Sequence, residues 1–280
     1  MEVVVSYPGS GLYFWWQLGA AAALRDKMPP RARLVGASAG AAVAVLAACD
    51  IAPATAFGAA TRIGREGRLW ERPLGLAGVW GGIIRSWLDE ILPSDAAARC
   101  EGRVSIAMLP VPSARRYMVS SFQSRQDLIN ATMTSLHVPL FMDGRVFSQF
   151  RGRRHIDSGF AASSLDVSLG HDYATTTVDF AHDPRLQHLK RNDLFQLHSE
   201  AKILEMIEYG REFGEETLAP NIGKGNLSKH AGATKQPMLH FLLDMVRNQS
   251  YADKTFFEKP PGSPPGDSPP PPRPPSYPPS

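Results

Sequence analysis

Cysteine is nearly missing from this chain: 280 residues carry two, Cys49 and Cys100. They stand in no metal-ligand spacing, which argues against a disulfide scaffold and against a zinc site, and makes a reducing compartment the expectation. No apolar run reaches the roughly 18 residues that would cross a bilayer. The start, Met1-Glu2-Val3-Val4-Val5, is acidic and too short for the apolar region of a signal peptide. Charge of one sign is scarce as well, with 30 Lys and Arg against 27 Asp and Glu. The small arginine cluster Arg151, Arg153 and Arg154 has no aromatic residues interleaved as a nucleic-acid platform would, so nucleic acid is not expected as a partner. Histidines number eight (His137, His155, His171, His182, His188, His198, His230 and His240), but none lies in a recognisable catalytic context. Each reads as a surface or internally satisfied histidine.

What is present is an apolar α/β pattern organised around one stretch. Leu34-Val35-Gly36-Ala37-Ser38-Ala39-Gly40 has the form G-x-S-x-G, with a strand-like lead-in and an alanine-rich helix behind it. A sharp strand-to-helix turn of this kind lifts the serine hydroxyl out of the backbone. Side chains two before and two after the serine would collide in that turn, so glycine is wanted at both places. The serine also falls at a helix N-terminus, where unpaired N–H groups can stabilise a negative oxygen.

Upstream, residues 3–7 read as a short β-branched strand that breaks at Pro8-Gly9-Ser10-Gly11 and turns helical over 12–24. A strand, a glycine loop and a helix bring backbone N–H groups together. Phosphate binding would want glycine where Phe14 stands, or a G-K-[ST] that does not follow. An oxyanion hole needs only two or three N–H groups, and the next strand leads directly to Ser38. The aromatic block Tyr13-Phe14-Trp15-Trp16 reads as core packing, with a lipid-facing lip as the rival.

Further along, helices are expected over 51–63 and 83–92, with a loop or cap over 64–82 between them and a short helix after Ser94 and Asp95. Residues 104–108 and 117–122 read as strands, Ser124 as a helix start, and Val146-Phe147 as the way into Asp157-Ser158-Gly159. A strand follows over 173–180. An amphipathic helix is expected from 193 to about 209, with Gly210 and Gly214 weakening its continuation. A loop over 223–233, an apolar helix over 237–246 and a disordered proline tract from 259 close the chain. Strands alternating with helices point to an α/β fold with a largely parallel sheet.

The ordered set of glycine loop, elbow serine and late Asp-x-Gly resembles the patatin-like phospholipase family, and within it the adipose triglyceride lipase branch. The carriers are Gly9-Ser10-Gly11 through Gln17-Leu18-Gly19, Gly36 to Gly40, Ile83-Ile84-Arg85-Ser86, Leu92-Pro93-Ser94-Asp95, Asp127-Leu128-Ile129 and Asp157-Ser158-Gly159. The resemblance implies a three-layer α/β/α sandwich with a mostly parallel central sheet. It implies a domain over 1–180, followed by a helical extension over 181–258 and the tail over 259–280. It also implies a serine lipid acyl hydrolase acting on acylglycerol esters through a Ser38–Asp157 dyad. The backbone N–H groups of Gly9, Ser10, Gly11 and Ala39 would hold the oxyanion. Phospholipase A-type activity, or a weakened lipid-binding member, is the alternative. No metal or cofactor is expected. The expected partners are a lipid substrate and a lipid-droplet or membrane surface, with room for a protein co-activator, and the expected location is cytoplasmic or peripheral to such a surface. The chain departs from the family where Ser158 replaces the usual glycine, where Phe14 replaces the loop's third glycine, and where the usual Asn and Pro are missing after Phe160. A side chain at 158 would alter the turn that aims Asp157, or bond to it.

Overall fold

Three consecutive valines start the first strand, β1 (Glu2–Tyr7), and β-branched residues of this kind suit a pleated strand buried on both faces. The computed structural model describes residues 2–113, 115–160, 173–187 and 191–224. The expected helix over 237–246, the proline tract, most of the 223–233 loop and the segment 161–166 lie outside the described residues. After β1 come α1 (Phe14–Leu24), β2 (Arg33–Gly36), α2 (Ala39–Ala48), α3 (Pro53–Glu66), α4 (Trp80–Ile91), α5 (Ala96–Cys100) and β3 (Val104–Pro110). Then follow β4 (Tyr117–Val119), α6 (Arg125–Ser135), β5 (Ser148–Phe150), β6 (Arg153–Ile156), β7 (Tyr173–Thr177) and α7 (Glu200–Phe213).

The sheet runs β5-β6-β3-β2-β1-β7, with β4 also pairing to β3. Its centre is parallel: β1 pairs with β2 and β7, and β2 with β3. The β3 edge carries antiparallel additions from β4 and β6. Helices flank this sheet as a three-layer α/β/α fold, the architecture the family resemblance implied, on the α/β pattern read from the residues. The elbow sits where β2 ends, between the two central strands β1 and β3. Like β1, these strands are nearly continuous apolar runs, because a sheet covered on both faces leaves no polar side.

The Tyr13 to Trp16 block packs into the core, with Trp16 fully buried and bonded through Nε1 to Asp183 Oδ2 at 2.9 Å. Two expectations are corrected. The segment expected as loop or cap is helical at both ends: α3 runs to Glu66, and α4 begins at Trp80 despite Gly81 and Gly82. At Gly81 a side chain would meet the Met142 carbonyl at 3.1 Å, so that glycine serves a close approach. The helix expected from 193 instead starts at Glu200, with the Ser199 hydroxyl accepting from Lys202 N at 3.2 Å. A short 3₁₀ turn (Arg191–Phe195) precedes it.

Gly210 does not end α7, and at Gly214 the α-helix gives way to a π turn (Gly214–Leu218). A Cβ on Gly210 would lie 1.9 Å from the Trp16 carbonyl oxygen, and one on Gly19 would lie 2.0 Å from that of Ile207. These glycines let the backbones of α1 and α7 touch, and that contact outweighs the roughly 1 kcal/mol propensity cost of each. Cys49 and Cys100, distant in sequence, come to 4.0 Å between sulfurs as buried free thiols. Asp95 precedes α5 as expected, but its carboxylate pairs with Arg99 and not with the helix backbone.

Candidate active site

Ser38 stands between β2 and α2 with φ 52° and ψ −130°, a region that L-residues rarely occupy and that costs of order 1–3 kcal/mol. The surrounding glycines explain how the strain is tolerated. A Cβ on Gly36 would lie 2.4 Å from the Gly40 carbonyl oxygen, and one on Gly40 would lie 2.0 Å from that of Tyr7. Both positions are therefore closed to any side chain, as the turn requires.

The structure brings Ser38 and Asp157 together across 119 residues of sequence: Ser38 Oγ donates to Asp157 Oδ2 at 2.6 Å. The other carboxylate oxygen, Oδ1, accepts from Gly159 N at 2.7 Å, and Asp157 N donates to the His137 carbonyl at 2.7 Å. Gly159 is required here too, since a Cβ would lie 2.9 Å from Oδ1. Burial pushes the Asp157 pKa up to about 6. The bonds from Ser38 and Gly159 and the charge of Arg116 pull against that rise. An aspartate with this value is still ionised at neutral pH but is a stronger base than one in water. Arg116, which the sequence reading overlooked, donates to the Ser158 carbonyl at 3.2 Å.

Ser158 turns out to hold the Ser38 backbone. Its hydroxyl accepts from Ser38 N at 2.9 Å, and the Ser135 hydroxyl accepts from the same N–H at 3.0 Å. The Ser135 hydroxyl spends its own proton on the Ala107 carbonyl at 2.8 Å. Ser158 is therefore the donor in the 2.9 Å contact between the two hydroxyls. All three groups are buried and all are satisfied. Replacing Ser158 with alanine leaves Ser135 as acceptor and is expected to cost about 1 kcal/mol of stability in a denaturant titration. Replacing both serines strands the Ser38 N–H, so the double variant should lose about 1–3 kcal/mol beyond the sum of the singles.

The expected oxyanion residues fall into place unequally. Gly9 is beside the serine, with its would-be Cβ 3.2 Å from Ser38 Cβ. Ala39 is the first residue of α2, where backbone N–H groups lack helical partners. Gly11 has φ +54° and lies against the Leu194 carbonyl, which a Cβ would approach to 2.2 Å. Ser10 is fully buried, and its hydroxyl donates to Gln17 Oε1 at 2.7 Å. Gln17 in turn donates to the carbonyls of Pro8 and Val178, both at 2.9 Å. It thus stitches the glycine loop to the end of β7. A buried glutamine in a helix of aromatic and alanine residues was the available signal for this role.

An apolar pocket of about 1030 Å³, counting its part open to solvent, begins at Gly11 and Ala39. Its wall is mainly aromatic and aliphatic, including Phe14, Trp15, Trp80, Trp87 and Ile84. The aromatic block is therefore core on one side and pocket wall on the other. Among the described residues no three His, Cys, Asp or Glu side chains gather to hold a metal, and no helix is long and apolar enough to cross a membrane.

A strained serine elbow bonded to a buried aspartate, on a mostly parallel sheet between helices, defines an α/β protein of the elbow-serine class. Residues 7–167 match the family model for patatin-like phospholipase, more than half of the chain. The chain belongs to the patatin-like phospholipase family. Mouse omega-hydroxyceramide transacylase is 29% identical over 163 residues, covering 56% of this chain and 27% of that protein. Human patatin-like phospholipase domain-containing protein 2 is 28% identical over 162 residues, covering 56% and 32%. Human patatin-like phospholipase domain-containing protein 5 is 28% identical over 263 residues, covering 85% and 59%. The chain thus spans between about a quarter and three fifths of the length of these relatives. They support the adipose triglyceride lipase-related branch.

Proposed function

We propose that this chain is a lipid acyl hydrolase that cleaves carboxylic esters of acylglycerols, with Ser38 as nucleophile and Asp157 as its base. The observation that carries the reading is the 2.6 Å bond between Ser38 Oγ and Asp157 Oδ2 beside an apolar pocket. In the first step Ser38 Oγ attacks the ester carbonyl and its proton passes to Asp157. The tetrahedral oxyanion is held by backbone N–H groups of Gly9, Ser10, Gly11 and Ala39. Collapse breaks the bond to the alcohol, which takes the proton from Asp157. Water then attacks the acyl-enzyme by the same route and frees the acid. The pocket takes the acyl chain, whose burial supplies binding energy of roughly 0.8 kcal/mol per methylene.

Access from a lipid surface belongs to the same reading. Trp70 lines the pocket and is 40% exposed, and Leu74 nearby in sequence is 51% exposed. A second reading is acyl transfer to an alcohol in place of water. It is favoured by the name of the mouse relative, a transacylase, and by the pocket's scarcity of polar groups. The test is a panel of triacylglycerol, diacylglycerol and phospholipid presented to the full chain, with and without a long-chain alcohol. Free fatty acid released from acylglycerol is the expected product. Acyl ester formed with the added alcohol as the main product would favour transfer, and no release from any lipid would overturn both readings.

A further inference from the structure

Exposed large apolar side chains are few among the described residues, and they are not scattered. Of five, four fall in two segments: Trp70 and Leu74 in residues 68–81, Leu140 and Val146 in residues 138–154. The two segments are joined through their backbones. Gly78 N donates to the Phe141 carbonyl at 2.7 Å, and Gly81 N to the Met142 carbonyl at 2.8 Å. Each segment also lines the apolar pocket, the first through Trp70 and Trp80, the second through Val138 and Met142. Single exposed apolar residues need no explanation, but a group of them beside a pocket marks a contact surface. Leu140 adds a second sign. Its φ of 65° is a left-handed conformation that leucine rarely takes and that glycine or asparagine takes at less cost. A leucine held in that conformation and more than half exposed contributes little to the core.

The surface carrying these groups is cationic. Residues 68–81 and 138–154 hold six arginines (Arg68, Arg72, Arg145, Arg151, Arg153 and Arg154) against Glu71 and Asp143, a surplus of four in a chain whose whole surplus is three. Arg68 stands 4.0 Å from Glu71, and Arg151 is spent on Asp127. Arg153 and Arg154 are neighbours on β6, so they point to opposite faces of the hairpin with β5. Arg154 lies on the side of Phe147, its guanidinium 4.8 Å from the ring centroid. Arg145 directly precedes Val146, and its carbonyl accepts from Leu140 N at 2.8 Å. The one acid beside it, Asp143, accepts from the Arg145 backbone N–H at 3.0 Å. Neither the Arg145 nor the Arg154 guanidinium pairs with a carboxylate among the described residues.

We propose that this face docks on an anionic membrane surface. Trp70, Leu74, Leu140 and Val146 enter the interface, and Arg145 and Arg154 meet the negative lipid headgroups. The proposal rests on the reading of the pocket as a lipid site, since docking here sets the pocket wall against the bilayer. The apolar groups alone would suit a neutral oil surface, and the arginines alone a soluble polyanion. Their combination selects an anionic lipid surface.

The test is sedimentation of the full chain with vesicles of phosphatidylcholine, made with and without phosphatidylserine. Binding is expected to be at least about tenfold tighter with phosphatidylserine, and to weaken as salt is raised. Arg145→Gln together with Arg154→Gln should remove most of that preference, since one arginine near such a surface contributes about fivefold. Leu140→Asn should weaken vesicle binding several-fold while thermal stability stays equal or rises, because asparagine tolerates the left-handed backbone. Hydrolysis of a short soluble ester should be unchanged in these variants, because none of the three side chains lines the apolar pocket. Equal binding to both vesicles, or a preference that survives both arginine changes, would overturn the proposal. So would binding confined to neutral triacylglycerol droplets, or burial of this face in a dimer of the chain. A wild-type chain that docks as expected yet cleaves neither the short ester nor any lipid would overturn the hydrolase reading and leave the docking surface standing.

Discussion

Ser38→Ala is expected to lower kcat/KM for ester hydrolysis by more than about 10⁴-fold while leaving the fold in place. The size follows from what the side chain does in the proposed cycle. Without it there is no acyl-enzyme, and oxyanion donors and the pocket alone retain only a small part of the acceleration. The fold should survive because the turn is dictated by Gly36 and Gly40, and alanine has the same Cβ as serine at the strained position. A fluorophosphonate ester should label the wild-type chain at Ser38 and leave the variant unlabelled. Turnover by the variant within tenfold of wild type, or equal labelling of both, would place the nucleophile elsewhere.

The elbow was legible in the sequence because its constraint is local. Three residues separate Gly36 from Gly40, and the collision that forbids side chains there follows from the turn alone. The alternation of strands and helices was legible for the same reason, since each element shows its own period. The support under the serine was not legible. Ser135 and Ser158 reach the Ser38 N–H across 97 and 120 residues, and no local pattern reports a hydrogen bond at that range. Ser158 looked like a departure at the aspartate's turn, yet it bonds to the Ser38 backbone and not to Asp157. Gly210 misled in the opposite direction. Helix propensity marks it as a weak point, whereas the close crossing with α1 makes it a requirement. In both cases a tertiary contact, invisible to a local reading, decides the residue's role.

These long-range contacts also change how the altered Asp157-Ser158-Gly159 turn bears on activity. In the proposed mechanism the aspartate must keep its aim while the serine moves through attack and release. Asp157 is fixed by Gly159 N and the His137 carbonyl, and Ser38 by the paired hydroxyls of Ser135 and Ser158. Both partners are thus held from behind by groups that do not react. The serine at 158 adds a bond that glycine there could not supply, which is a reason to expect an active member of the family.

The second large effect concerns Asp157, where activity and stability should move in opposite directions. Asp157→Asn removes the base and is expected to lower kcat/KM by at least about 10³-fold. The same change should stabilise the protein at alkaline pH. The buried carboxyl has its pKa raised from an ordinary 3.8 to about 6, so the native state holds a proton over a range in which the unfolded chain has released it. Stability is therefore highest below about pH 4 as far as this group is concerned, and is lost as pH rises through 6. Two pKa units correspond to roughly 3 kcal/mol lost by pH 8. Asparagine stays neutral and should escape that loss. Chemical denaturation at pH 8 is expected to show the variant more stable than wild type, with the difference shrinking toward pH 4. The wild-type kcat/KM should fall about tenfold per unit below a midpoint near pH 6, as the base takes up its proton. A wild-type profile flat down to pH 4.5, together with no pH-dependent stability difference, would mean that Asp157 is not the titrating base. The raised pKa is thus one cause with two readouts, since the burial that would make the carboxylate basic enough for its proposed role toward Ser38 also makes its ionised form costly to fold.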